Sequence, residues 1–231
     1  MTQAATREEW LTARRALLER EKSLTRLHDE LSAARRALPW VKVDKDYRFE
    51  GPDGDMPLSD MFKGKNQLII YHFMYGPDWK EGCSSCSFWA DNFNNVDIHL
   101  NQRDIAFAAV SRAPIETLNA FKERMGWKFN WYSSLGGDFN FDFHVSFEDG
   151  RPEPDFRTYN FRDAPNASGE LPGVSVFIKN PDGEIFHTYS AYARGLEIFN
   201  GAYQLMDLTP KGRDEEGLSY PMAWVRVKDK Y

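Results

Sequence analysis

Cys83 and Cys86 are the only two cysteines of the chain, and they stand three residues apart in the segment GPDWKEGCSSCSFW, residues 76–89. A Cys-x-x-Cys spacing supports three kinds of behaviour. As a redox pair, the first thiolate attacks a disulfide and the second, one helical turn further on, resolves the mixed disulfide. As soft ligands, the two sulfurs hold copper or zinc together with another side chain. As small apolar groups, the thiols are merely buried neighbours.

The histidines weigh on the metal reading. A structural zinc site wants four ligands, and the sequence offers no second Cys-x-x-Cys and no close pair among His28, His72, His99, His144 and His187. The alternative that stays open is a copper or zinc site built from Cys83, Cys86 and His187. His72 lies inside the apolar run IIYHFMY and reads as a core histidine bonded to a carbonyl or a tyrosine.

Composition narrows the partners. A formal charge of -6 disfavours a nucleic-acid or anionic-membrane surface, because phosphate binding needs clustered cations. The charged N-terminus MTQAATREEW lacks a secretory signal pattern, and no run approaches the ~20 apolar residues of a membrane span. The expected location is the cytoplasm, where a close cysteine pair more often does redox chemistry or binds metal than staples a fold. Expected partners are a protein or small-molecule thiol or disulfide, with no nucleic acid, no membrane and no cofactor.

The elements that must position the cysteines follow from periodicity. Trp10, Leu17, Leu24, Leu31 and Leu38 recur every seven residues, which predicts an amphipathic helix from about Arg7 to Leu38. Thr6 and Glu9 have capping-box spacing, and Pro39 supplies the stop. Such a helix runs roughly 45 Å at 1.5 Å per residue, and its stripe packs either on its own domain or on a second subunit. A homodimer is the expectation.

Residues 1–39 therefore form an N-terminal helix and residues 40–231 a single domain. VKVDKDYRFEGPDGDMPLSDMF reads as a strand or hairpin around Gly-Pro-Asp-Gly. Gln67 to Tyr75 is a central strand, and Phe88, Trp89, Phe93 and Val96 lie at helical spacing after the cysteines. Ile105 to Ser111 is a second buried strand, followed by a helix from Pro114 to Gly126. Residues of about 127–173 read as an aromatic-rich irregular insertion. VSVFIKNPDGEIFHTYS is then a hairpin, ARGLEIFNGAYQLMDL an amphipathic helix and TPKGRDEEGLSY a solvated loop. The order βαβα, insertion, ββα is that of the thioredoxin fold, an α/β fold with a central mixed sheet flanked by helices.

That fold sets its active pair where the first core strand meets its helix, and Cys83 and Cys86 fall between the strand ending near Tyr75 and the helix carrying Trp89. Unpaired N–H groups at a helix start stabilise a thiolate. Cys83 is thus read as nucleophile and Cys86 as resolving thiol of a thiol–disulfide oxidoreductase. Pro172, two residues before Val174, occupies the place where thioredoxin-fold proteins commonly carry a substrate-facing cis-proline; an ordinary trans proline entering a strand is the alternative. Trp79 and Trp89 are candidates to line a pocket over the thiols. A non-catalytic dimeric module is a further alternative.

Long strings of the chain, among them YHFMYGPDWKEGCSSCSFWAD, VSRAPIETL, FNFDFHVSF and DLTPKGRDE, resemble the bacterial thioredoxin-like proteins grouped as domain of unknown function 899. The resemblance covers nearly the whole chain. It implies a thioredoxin-like fold and carries Cys83 and Cys86 onto that family's cysteine segment. The loop from Gly76 to Gly82 also resembles the peroxiredoxin Pro-x-x-x-Thr-x-x-Cys segment, but Pro77 lies six residues before Cys83 rather than seven and no threonine intervenes. The group that would orient a peroxide is therefore absent.

Overall fold

The computed structural model describes residues 4–149 and 157–231, so part of the 127–173 segment lies outside the described residues. Two compact units divide at Trp40 and Val41. The first unit is dominated by α1 (Arg7–Arg36). Its start is a capping box: Thr6 N–H donates to the Glu9 carboxylate at 2.8 Å, and Glu9 N–H donates to Thr6 Oγ1 at 3.3 Å. It stops two residues short of Leu38, because Pro39 disfavours helical backbone in the residue before it. None of its residues is buried, and Trp10, Leu17, Leu24 and Leu31 are all exposed.

In the second unit β1 (Val41–Lys42) is followed by a hairpin of β2 (Arg48–Gly51) and β3 (Gly54–Pro57), which turns at the expected Gly-Pro-Asp-Gly. Then come β4 (Gln67–His72), α2 (Ser84–Ala90), α3 (Val96–Leu100), β5 (Ile105–Ser111) and α4 (Ile115–Met125). Next are β6 (Asn130–Ser133), α5 (Phe139–Asp142), β7 (Ser146–Phe147), β8 (Thr158–Tyr159), β9 (Arg162–Asp163) and β10 (Gly169–Glu170). The hairpin β11 (Gly173–Lys179) and β12 (Ile185–Tyr192), and then α6 (Gly201–Met206), complete the series.

Among the described residues these strands build an eight-stranded sheet in the order β1-β12-β11-β4-β5-β6-β2-β3. β4, β5 and β6 are parallel, as strands joined through helices must be, and β11 lies antiparallel against β4. This is a thioredoxin-like α/β fold. Strand alternation sends Tyr71, Phe73 and Val174 into one core with Cys86, Trp89 and Phe121. Leu68, Ile70 and Phe177 point to the other side, where Phe49, Phe62 and Phe139 pack.

Four expectations are corrected. The single helix over Phe88 to Val96 is two, because the Asn92 amide donates to the carbonyls of Phe88 and Trp89 and Asn95 turns left-handed at φ 67. The presumed irregular insertion holds β6, a strand of the main sheet with Trp131 and Tyr132 buried. The last helix is divided into a 3₁₀ turn, Ala193–Phe199, and α6, because Asn200 leaves the helical region and caps Tyr203 N–H at 3.1 Å. No cis peptide bond occurs among the described residues, so Pro172 is the ordinary trans proline at a strand entrance. Beside it, Leu171 N–H donates to Val145 O at 2.8 Å, and the strand begins directly at Gly173.

Candidate active site

The backbone at Met74, just past β4, anchors the cysteine loop from both sides. Cys83 N–H donates to Met74 O at 3.1 Å, and Met74 N–H donates to Cys86 Sγ at 3.4 Å. Gly82 lets the loop pass this close. A Cβ there would lie 2.9 Å from the rings of Phe73 and Phe121, so any side chain would displace the aromatic core. Cys83 is the N-cap of α2, with its sulfur 3.5 Å from Cys86 N.

The two thiols sit in unlike environments. Cys83 is partly exposed, and its pKa falls to about 6 because the Cys86 thiol donates to its sulfur; burial opposes this, and the N–H groups of Cys86 and Ser85 reinforce it. Cys86 is buried, and burial together with the neighbouring Cys83 raises its pKa well above the ordinary value. Tyr71, buried beside Cys86, acts to lower that pKa, and Met74 N–H is the backbone donor to the buried sulfur.

A cleft of about 560 Å³ opens beside the pair. Tyr71, Met74, Ser85, Cys86, Trp89 and Pro172 line it near the thiols. Leu196 and Tyr203 line it too, with Arg213, Glu215, Tyr220, Pro221 and Met222 from the segment that follows α6. Most of this stretch is exposed, as expected of a solvated loop, and Arg213 and Glu215 are the side chains that turn inward from it. Glu215 pins it: one carboxylate oxygen accepts from Tyr203 O–H at 2.8 Å, Trp224 Nε1–H at 2.8 Å and Met222 N–H at 2.9 Å. Arg213 lies over the Tyr203 ring, 4.0 Å from its centroid.

Of the residues singled out from sequence, Cys86, Trp89 and Pro172 line this cleft with Cys83 adjoining, and Trp89 is fixed by its Nε1–H to Leu196 O at 2.7 Å. Trp79 does not line it. Its indole lies over Gly76, where an added Cβ would meet Nε1 at 2.8 Å, so the ring packs on its own loop.

His187 belongs to the far side of the sheet, and the proposed Cys83, Cys86, His187 set is not assembled. Its Nε2 is 2.8 Å from Ser190 Oγ, Ser190 Oγ is 2.9 Å from Ser175 Oγ, and Ser175 Oγ is 2.8 Å from His72 Nε2. Alternation along β4 puts His72 opposite the cysteines, and a bulge in β12, where Tyr189 and His187 face consecutive residues of β11, turns His187 to that same side against Phe143 and Phe177. Among the described residues no three His, Cys, Asp or Glu side chains come together as a metal site. His72 is a core histidine, but it bonds a serine rather than a carbonyl or tyrosine and stacks on Phe139 and Phe143.

Reading of the sequence missed Tyr71, Met74, Tyr159 and the Arg213–Met222 wall. Period-two alternation along β4 places Tyr71 on the cysteine side and is the signal that could have found it. The run SYPMAWV, apolar after a charged stretch, marks the wall.

The family model described as bacterial protein of unknown function (DUF899) matches residues 1–231. The chain belongs to that family. Among curated proteins none matches this DUF899 chain significantly. Solved structures similar to it include the peroxidoxin BcpB from Mycobacterium tuberculosis, 11% identical over 68% of this chain and 85% of that one, with a TM-score of 0.45. A PrxQ mutant from Xylella fastidiosa is 15% identical over 70% of this chain and 92% of that one, with a TM-score of 0.45. A yeast mitochondrial 1-Cys peroxiredoxin is 17% identical over 74% and 78%, with a TM-score of 0.41. The fold assignment for the DUF899 chain rests on its own sheet topology.

Proposed function

We propose that the protein is a thiol–disulfide oxidoreductase in which Cys83 is the nucleophile and Cys86 the resolving thiol. The observation that carries this is the asymmetry of the pair. Cys83 caps α2, accepts hydrogen bonds at its sulfur and has a pKa near 6, whereas Cys86 is buried with its proton retained. A thiolate at neutral pH attacks, and a protected thiol within reach closes the mixed disulfide. In this reading the protein works in the cytoplasm, where thiol pools return the pair to its reduced form.

The same reading makes the protein a homodimer through α1. The heptad stripe of Trp10, Leu17, Leu24 and Leu31 is exposed along the helix, and a continuous exposed apolar stripe is an association surface.

The test of the redox assignment is a thiol titration with metal analysis on protein purified under reducing conditions. Two thiols that oxidise reversibly to an intramolecular disulfide in metal-free protein support it. Stoichiometric copper or zinc held by both cysteines, or thiols inert to disulfides, overturns it.

A further inference from the structure

In thioredoxin-fold proteins a protein substrate lies on the backbone beside the proline that faces the cysteine pair, the place of Pro172 here. Strand-like docking of a polypeptide needs free N–H and C=O groups there. The N–H is taken and the carbonyl is already engaged by a side chain. Leu171 N–H donates to Val145 O at 2.8 Å, and Pro172 O accepts from the Tyr159 hydroxyl at 2.7 Å. Tyr159 is itself held, its oxygen accepting from Ala193 N–H at 3.1 Å. Upstream, Glu170 is paired with Ser146 in the β7–β10 ladder.

The cleft offers a different kind of access. Its wall is fixed by the three hydrogen bonds to Glu215, and its volume of about 560 Å³ suits a small molecule. The lining is mostly apolar: Tyr71, Met74, Trp89, Leu196, Tyr220 and Met222. Its charged groups are matched among themselves. Arg194 pairs with Glu197 at 2.7 Å, and Arg213 pairs with Glu197 at 3.1 Å and with Asp207 at 2.9 Å. Glu215 is occupied by its three donors. The lining itself carries two guanidinium and two carboxylate groups, Arg194 and Arg213 against Glu197 and Glu215, so it has no net charge to favour an ionic ligand.

We infer, resting on the redox reading of the pair, that the substrate is a small, uncharged disulfide with an apolar body, bound between the cysteines and the Arg213–Met222 wall, and not a protein disulfide. The Cys83 thiolate attacks one sulfur of R–S–S–R, forming Cys83–S–S–R and releasing R–S⁻. Cys86, giving up its proton to the medium or to the departing thiolate, then attacks Cys83 Sγ and releases the second R–S⁻. The substrate gains two electrons and leaves as two thiols, and the protein keeps a Cys83–Cys86 disulfide that an external dithiol reduces.

The experiment is a single-turnover comparison with reduced, full-length protein. Three oxidants are used: 4,4′-dithiodipyridine as the small neutral disulfide, oxidised glutathione as the small charged one, and insulin as the protein disulfide. Each rate is divided by that of dithiothreitol with the same oxidant. The normalised rate for dithiodipyridine should exceed the other two by about tenfold or more and saturate with concentration, as cleft binding requires. Met222→Trp, which fills the cleft, should lower that rate about tenfold while Cys83 alkylation by iodoacetamide is unchanged. Tyr220→Ala, on an exposed side chain, should shrink the preference without unfolding the protein. Insulin or glutathione reduced at an equal or greater normalised rate overturns the substrate class and leaves the redox reading standing. If no oxidant is reduced and Cys83 alkylates no faster than free cysteine, the redox reading falls and this inference with it.

Discussion

The sulfur of Cys83 lies 3.5 Å from the backbone nitrogen of Cys86, so one residue's thiolate is held by the other residue's N–H at the first turn of α2. Both thiols share that turn, yet Cys83 is partly exposed and Cys86 is buried at the floor of the cleft. This difference, more than the spacing, divides their roles.

Cys83 should titrate far below an ordinary thiol. Its pKa of about 6 means that the iodoacetamide rate at Cys83 of the wild-type protein, followed by mass mapping, rises through pH 6 and is level by about pH 7.5. The Cys86→Ser variant should trap mixed disulfides through Cys83, and replacing Cys83 should abolish exchange. Stopped alkylation with mass analysis checks this; a faster Cys86 in the Cys83→Ser variant would reverse the roles.

Tyr71 should act on the second chemical step alone. It is buried beside Cys86, lowers that thiol's pKa against the larger effect of burial, and is coupled more strongly to Cys86 than to Cys83. Tyr71→Phe keeps the ring in the core and removes the hydroxyl. Release of the second thiol should slow about tenfold, worth ~1.4 kcal/mol of barrier, while the first attack is unchanged. Rapid-quench separation of the two steps decides it.

Stability should fall on acidification. Burial pushes the His72 pKa down to about 3, with His187 opposing its charge, whereas the unfolded imidazole titrates near 6.5. Between those values the unfolded chain binds more protons, so stability is present in full above pH 6.5 and drains as pH falls, by up to about 1.4 kcal/mol per unit. His187, also lowered by burial, adds in the same sense. Urea unfolding from pH 7.5 to 4.5 should show this slope, and His72→Gln should flatten it; an unchanged slope in the variant would sink the assignment.

The α1 stripe should control assembly. Leu24→Glu with Leu31→Glu puts two charges on the heptad line and should convert a dimer to monomer by sedimentation velocity, with helix content reduced in proportion. Wild-type protein that sediments as a monomer at micromolar concentration would remove the dimer from the reading.

Local sequence carried the elements whose causes are local. The Thr6–Glu9 capping box, the αL stop at Gly126 and the strand Ile105–Ser111 are each set by residues within a few positions of one another. The same holds for placing Cys83 and Cys86 between a buried strand and a helix. β6 escaped because NWYS is too short to show a period, and its pairing with β5 comes from twenty residues away.

What the sequence by itself determined, then, is the thioredoxin-like order of strands and helices, the capped N-terminal helix and the location of the thiol pair, because periodicity and capping act over one or two turns of chain. Only the tertiary structure decided what surrounds the thiols. Burial and hydrogen bonds split the pair's acidity, a bulge in β12 turned His187 away from the sulfurs, and Tyr159 engaged the Pro172 carbonyl. The segment from Arg213 to Met222 became a wall because Glu215 gathers donors from Tyr203, Met222 and Trp224, partners brought together by folding. Desolvation and long-range hydrogen bonding depend on who is near in space, and no local spacing encodes that.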